Sequence, residues 1–378
     1  MLVFDKPFLE EALKILKDTA DKKATMDILR TVKVEPNHET GLVCFTATDL
    51  EAGATACLSS LEEISQDVGT FCVPAKEIYN IVKSFPSDRI ILQKEETRLI
   101  VKDNSESVVY NLATMDASEF PNLPNFSDVE DSLIEISTDA LYQLITKTMF
   151  AVSKEEAKFV LGGVYFEPLP EEGKLRAVAS DGHRLAYQDV EVEQDGKNLE
   201  QGFILPRKAC KHILDAIKGK LGSVRFGFIH NHAVFKVSNL FYFSRVIEGN
   251  FPDYRSVLPQ DFKTSLTIDR LKLMDALKRV CIVMSQVFKP VTFKLENGEV
   301  ELFSAATEGE IGNARIKLDV VPNGEPMEIT LNGVYLLDAL SVMKSDVVEL
   351  KFNEGRSPAI LEGAADEGFL CLIMPMVL

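Results

Sequence analysis

Three sets of short segments recur along this 378-residue chain at nearly one spacing, and three periods fill it. This constrains the fold more than any single motif does, because a repeated segment is a repeated supersecondary unit. VPAKEIYNIVKSF (73–85) and LPRKACKHILDAIK (205–218) each set an apolar residue and Pro ahead of charged residues and helically spaced apolar positions. Pro74 and Pro206 lie 132 residues apart and suit a helix's first turn. LNGVYLLDALSVMK (331–344) follows 126 residues on, with Asn332 in the capping place. FDKPFLEEALKIL (4–16), ISTDALYQLITKTM (136–149) and LTIDRLKLMDALKRV (266–280) form a second set: strand end, polar cap, amphipathic helix. Their apolar stripes read Leu9, Leu13, Leu16; then Leu141, Leu144, Ile145; then Leu271, Met274, Leu277.

The third set bears on the most chemically suggestive stretch, ASDGHRLA (179–186). Ser180, Asp181, His183 and Arg184 are side chains that a hydrolase or phosphotransfer site would use. Such groups normally converge from separate segments, however, and neighbours on a strand face opposite ways. FTATDLEAGATA and LFSAATEGEIGNARI align with this stretch and bring Thr48-Asp49, Ser180-Asp181 and Thr307-Glu308 into register. A feature shared by copies without His or Arg reads as a turn in which a short polar side chain bonds nearby backbone. Gly182, His183, Arg184 and Leu185 are peculiar to the middle copy. His230-Asn231-His232 lies between two alternating runs and reads as a hairpin tip, not a nuclease motif.

Between the helical segments lie alternating runs such as LVCFTAT, RLIVKD, SVRFGFI and AVFKVSN, which predict antiparallel strands. Each third is therefore α+β, with two helices packed on antiparallel sheets. Boundaries fall near the Pro- and Asp-rich PNLPNFSD and FPDYRSVLPQD, giving domains 1–125, 126–250 and 251–378.

No apolar run approaches the roughly 18 residues that cross a bilayer, and the acidic start lacks a signal-peptide pattern, so a cytoplasmic location is expected. The six cysteines sit mostly in apolar runs and read as buried, reduced thiols. Cys210 and His212 have no second pair to complete a zinc site. The formal charge of −17 argues against a generic nucleic-acid binder. Its distribution is uneven: the six helix windows together carry +7, which leaves −24 for everything else. The cations Lys76, Lys83, Arg207, Lys208, Lys211, Lys272 and Arg279 lie on these helices. Repeated helices with a basic face on an acidic chain suit loose, sequence-independent contact with a phosphate backbone.

ATDLE (47–51), VPAK (73–76), FPNL (120–123), LGGVYFE (161–167), ASDGHRLA, LPRK (205–208), GNFPDYRSVLP (249–259), LNGVYLLDAL (331–340) and IMPM (373–376) run through all three thirds. In these motifs the chain resembles the β subunit of bacterial DNA polymerase III, the sliding-clamp family. The resemblance implies three DNA-clamp domains per chain and a head-to-tail homodimer forming a six-domain ring. It implies a non-catalytic processivity factor that encircles double-stranded DNA. The implied partners are the polymerase III catalytic subunit, the clamp loader and other clamp-binding-motif proteins. Neither cofactor, metal nor membrane is expected, and no G-x-x-x-x-G-K-[ST] is present.

The family's apolar partner-peptide cleft falls on Leu161, Ser180, Gly182, His183, Arg184, Leu185, Pro252, Val257, Phe288, Tyr335, Met374, Pro375 and Met376. An extended peptide would cross Gly182 while Leu185, Val257 and the methionines take its apolar side chains. The family usually has Arg where this chain has Val377, and often has Arg at Ser256, so a weaker preference for acidic peptides is expected. Among the family's DNA-touching positions, Lys23 keeps the charge and Phe159 an aromatic ring, whereas Val160 does not. Two alternatives stand beside this reading: a clamp-fold interaction scaffold that does not encircle DNA, and a hydrolase using Asp181 and His183.

Overall fold

The computed structural model describes the chain apart from residues 22–23, 125–132, 193–200, 286–287, 297, 305–311 and 378. Among the described residues there are six α-helices: α1 Lys6–Thr19, α2 Ala75–Ser84, α3 Thr138–Thr146, α4 Arg207–Ile217, α5 Arg270–Cys281 and α6 Gly333–Val342. Each follows a short strand directly, and each sits where the repeat predicts. The start residues of α1, α3 and α5 are 132 residues apart in both steps.

That strict spacing corrects one stripe. Leu9 and Leu141 are fully buried, and the residue a further 132 positions on is Leu273, also fully buried, while Leu271 points to solvent. The inward face of α5 is Leu273, Ala276, Leu277 and Val280. The two leucines stand two positions apart, about 200° around a helix, so only one of them can face the sheet.

Among the described residues the strands form two four-stranded and two nine-stranded sheets, each wholly antiparallel. Contacts divide the chain into two compact units. The first takes in Met1–Asp139 and Lys208–Val246; the second takes in Ala140–Val192, Gln201–Arg207 and Ile247–Leu378. The division cuts the central repeat because its strands join sheets with both neighbours. In the first unit, strand Ala52–Ser59 pairs with Leu240–Arg245. In the second, Arg184–Glu191 pairs with Phe369–Ile373. Helix α1 packs on α2 and on strands Leu42–Thr48 and Ala52–Ser59, with Leu13 and Leu16 fully buried.

One further expectation changes. Cys44 and Cys57 are joined by a disulfide, and the other four cysteines are buried and outside any disulfide. The two residues are direct partners on neighbouring antiparallel strands, which brings their side chains within bonding reach. Helix α3 ends at Thr146, and Lys147 is buried in an ion pair with Asp366 at 2.8 Å.

Candidate functional site

The two described copies of the Ser/Thr-Asp feature are the same turn, atom for atom. Thr48 Oγ1 donates to Ala52 O (2.7 Å) and accepts from Leu50 N (3.0 Å), while Asp49 Oδ1 accepts from Glu51 N and Ala52 N. Ser180 Oγ donates to Arg184 O (2.8 Å) and accepts from Gly182 N (3.1 Å), while Asp181 Oδ1 accepts from His183 N and Arg184 N. The residue after the acid takes positive φ in both, 74° at Leu50 and 88° at Gly182. Thr307-Glu308 lies outside the described residues.

This geometry removes the hydrolase reading. Ser180 spends its proton on a backbone carbonyl, and Asp181 is occupied by two backbone amides and by Arg184 Nε at 3.1 Å. Neither is free to act as nucleophile or orienting acid. His230 and Asn231 form the hairpin tip between Ser223–Ile229 and His232–Val237, with φ of 45° and 63°. Among the described residues no group of three or more His, Cys, Asp or Glu could hold a metal.

The turn is anchored within the second unit. Arg184 is buried and uses every arm of its guanidinium. Nη1 donates to Asp338 Oδ2 at 2.7 Å and Nη2 to Phe150 O at 2.7 Å, and Cζ lies 4.1 Å from the Tyr335 ring centre. Arg184 therefore positions the turn and is not left open to a ligand. Burial pushes the Tyr335 phenol up, the Asp181 and Asp338 carboxylates add to this, and Arg184 opposes it. Met374 N donates to His183 O at 2.9 Å, and Met376 N to Thr330 O at 2.8 Å, which stitches the C-terminal segment beside the turn.

Burial divides the thirteen expected cleft residues. Leu161 and Leu185 are core residues; Leu185 packs with Val178, Tyr254, Ile360 and Leu372. Neither offers much surface to a ligand. Gly182, His183 and Pro252 are exposed, as are Val257 (48%), Phe288 (50%) and Met374 (37%), while Tyr335, Pro375 and Met376 are partly exposed. A Cβ at Gly182 would meet only Lys158 Nζ, at 3.6 Å, so the backbone there is open to a ligand chain.

Sequence reasoning missed the support beneath Val257. Arg176 clamps Asp189 through two bonds of 2.6 and 2.7 Å and reaches Tyr254 Oη at 3.3 Å. Tyr254 Oη donates to Glu167 at 2.6 Å, and Arg255 Nη2 joins the same carboxylate at 2.9 Å. This network fixes the 3-10 turn Tyr254–Val257 against the sheet. The signal for part of it was available, since Arg176 and Asp189 are direct cross-strand partners once the hairpin is folded about Ser180–Arg184.

The candidate phosphate-contacting residues lie on the helices as expected. Lys76 and Lys83 on α2, Arg207, Lys208 and Lys211 on α4, and Lys272 and Arg279 on α5 are all exposed. Among the described residues two of these form ion pairs: Lys208 with Asp49, and Arg279 with Asp275 at 2.7 Å. Phe159 is 59% exposed, and Lys23 lies outside the described residues.

Comparison with known proteins covers nearly the whole chain. Profiles of the DNA polymerase III beta subunit match in three consecutive segments: its N-terminal domain over residues 3–124, its central domain over 135–253 and its C-terminal domain over 255–377. The Haemophilus influenzae protein named beta sliding clamp is 31% identical across 88% of this chain and 87% of its own length. The beta sliding clamp of Proteus mirabilis is 30% identical across 97% and 98%. The crystal structure of the DNA polymerase III subunit beta from Pseudomonas aeruginosa superposes with a TM-score of 0.90 at 26% identity, covering 100% of both chains.

Proposed function

The chain belongs to the bacterial DNA polymerase III β-subunit family, the sliding clamps, and from that membership we propose how this member holds DNA and recruits partners. It is a non-catalytic processivity factor. Two copies close head to tail into a ring around duplex DNA, and the cations of α2, α4 and α5 meet the phosphates. The observation that carries this reading is the repeated helix set with outward cations on a chain whose net charge is −17. Weak contacts of this kind release counterions and leave the DNA free to slide.

Partner proteins dock an extended segment over Gly182, between His183 and the exposed Val257, Phe288 and Met374. Its apolar side chains gain burial there. Arg184 acts behind this surface by holding the turn, Tyr335 and Asp338 in one arrangement.

Primer extension on a primed circular template, with cognate polymerase and loader, tests both parts. Wild-type protein should lengthen products severalfold or more. Met374→Asp should remove most of that stimulation while leaving the dimer intact, because it sets a charge in an apolar contact. Failure of intact wild-type dimer to stimulate would overturn the proposal.

A further inference from the structure

We propose that Cys44 and Cys57 are a reversible thiol–disulfide pair, a modification site whose co-substrate is a small-molecule disulfide. The two residues are direct partners in the ladder between Leu42–Thr48 and Ala52–Ser59, and they are bonded. Their side chains lie on the face of these strands away from the core. Val43, Phe45 and Ala47 fill the opposite face at 1% exposure or less. The next rung on the cysteines' face is the hydroxyl pair Thr46–Thr55, 3.1 Å apart. Both cysteines are partly exposed, whereas Cys72, Cys210, Cys281 and Cys371 are buried. Burial pushes the Cys72 thiol up to about 11 and the Cys371 thiol up to about 12, which suppresses the reactive thiolate there. Only Cys44 and Cys57 therefore join a facing partner to solvent access.

Reversibility follows from the backbone. Cys57 N donates to Asn239 O at 3.1 Å, and Asn239 Nδ2 donates to Cys57 O at 3.3 Å. Ladder pairs run on both sides of the cysteine rung, from Leu42↔Ser59 to Thr48↔Gly53. These bonds hold the two sulfurs face to face whether or not they are joined, so opening the bond requires no unfolding. In the closing reaction one cysteine thiolate attacks a sulfur of the small disulfide RSSR, giving a mixed disulfide and one RSH. The second thiolate then attacks the protein sulfur of that mixed disulfide and expels the second RSH. Two electrons pass from the protein sulfurs to RSSR, and the two thiol protons end on the released thiols. The closed bond cross-links the hairpin whose turn carries Asp49, the partner of Lys208 on the basic helix.

The test counts thiols on the full-length dimer. After dithiothreitol, alkylation under denaturing, exchange-quenched conditions should find all six cysteines. After oxidised glutathione it should find four, with one cross-linked peptide joining Cys44 to Cys57, and dithiothreitol applied to the native protein should restore six. Cys57→Ser should instead retain one glutathione on Cys44, a mass shift that the Cys44→Ser, Cys57→Ser double variant should lack. Six thiols surviving oxidant, a two-thiol loss persisting in the double variant, or a bond that native-state reductant leaves closed would each overturn the proposal.

Discussion

Lys147 and Asp366 carry the clearest consequence of a single residue. Both are buried, and Asp366 also accepts from Lys344 N (2.9 Å) and Ser345 N (2.8 Å) while Lys147 Nζ lies over the Phe369 ring. Removing one partner of such a pair strands the other charge in the interior. Lys147→Met should therefore cost about 3–5 kcal/mol in denaturant unfolding. Burial alone would raise the Asp366 pKa, but Lys147, Ser345 and the backbone amides outweigh it and hold the carboxyl below its ordinary 3.8. A carboxyl with a folded pKa below its unfolded value stabilises the fold fully above the unfolded value. That contribution is lost as pH falls through the folded value. Wild-type stability should thus drop with acid below about pH 4, and Asp366→Asn should flatten that part of the profile, read as urea midpoint against pH.

At the scale of elements, the helices carry the electrostatics. Arg207, Lys208 and Lys211 are exposed along the first turn and a half of α4, while Ala209, Cys210 and Ile213 are buried. Replacing the three cations with Ala removes charge that would meet phosphates without touching the buried stripe. The variant should leave linear DNA faster, and its binding should depend less steeply on salt, by roughly 0.9 in the log–log slope for each phosphate no longer neutralised. On closed circles its half-life should stay near wild type, because a closed ring is retained by topology. Loaded-clamp lifetimes on circular and linearised plasmid check this; equal, rapid loss from both would sink the ring reading.

At the scale of the whole molecule, the two four-stranded sheets each end in a strand without a further neighbour among the described residues, Val109–Ala113 in one and Arg315–Leu318 in the other. Unpaired edges are templates for strand addition. Val109 and Tyr110 are exposed on the first edge; the second carries Arg315 and Lys317, paired with Glu301 and Glu299. Joining the first edge of one copy to the second edge of another uses two identical heterologous contacts, which close a dimer. Val109→Asp with Tyr110→Asp should lower the mass by light scattering from about twice 42.1 kDa to 42.1 kDa. An undisturbed dimer would place the interface elsewhere.

What the chain alone determined is what consecutive residues encode. Helix spacing is a 3.6-residue rhythm and strand alternation a 2-residue one, so all six helices could be read directly. The Ser180-Asp181 turn was equally legible, because its bonds close within four residues. The family motifs carried the function for the same reason. The tertiary structure decided which side chains were already taken. Arg184 reads as a cleft cation until Asp338, 154 positions away, and the Phe150 carbonyl are seen to hold it. Leu185 reads as a rim residue until the packing of Tyr254 and Leu372 buries it. The register of one hairpin brought Cys44 onto Cys57, where composition had suggested two unrelated thiols. Such pairings are set by how sheets and helices pack across the chain. No local rhythm reports a partner more than a hundred residues distant, because burial and ion pairing are properties of the folded neighbourhood and not of the segment.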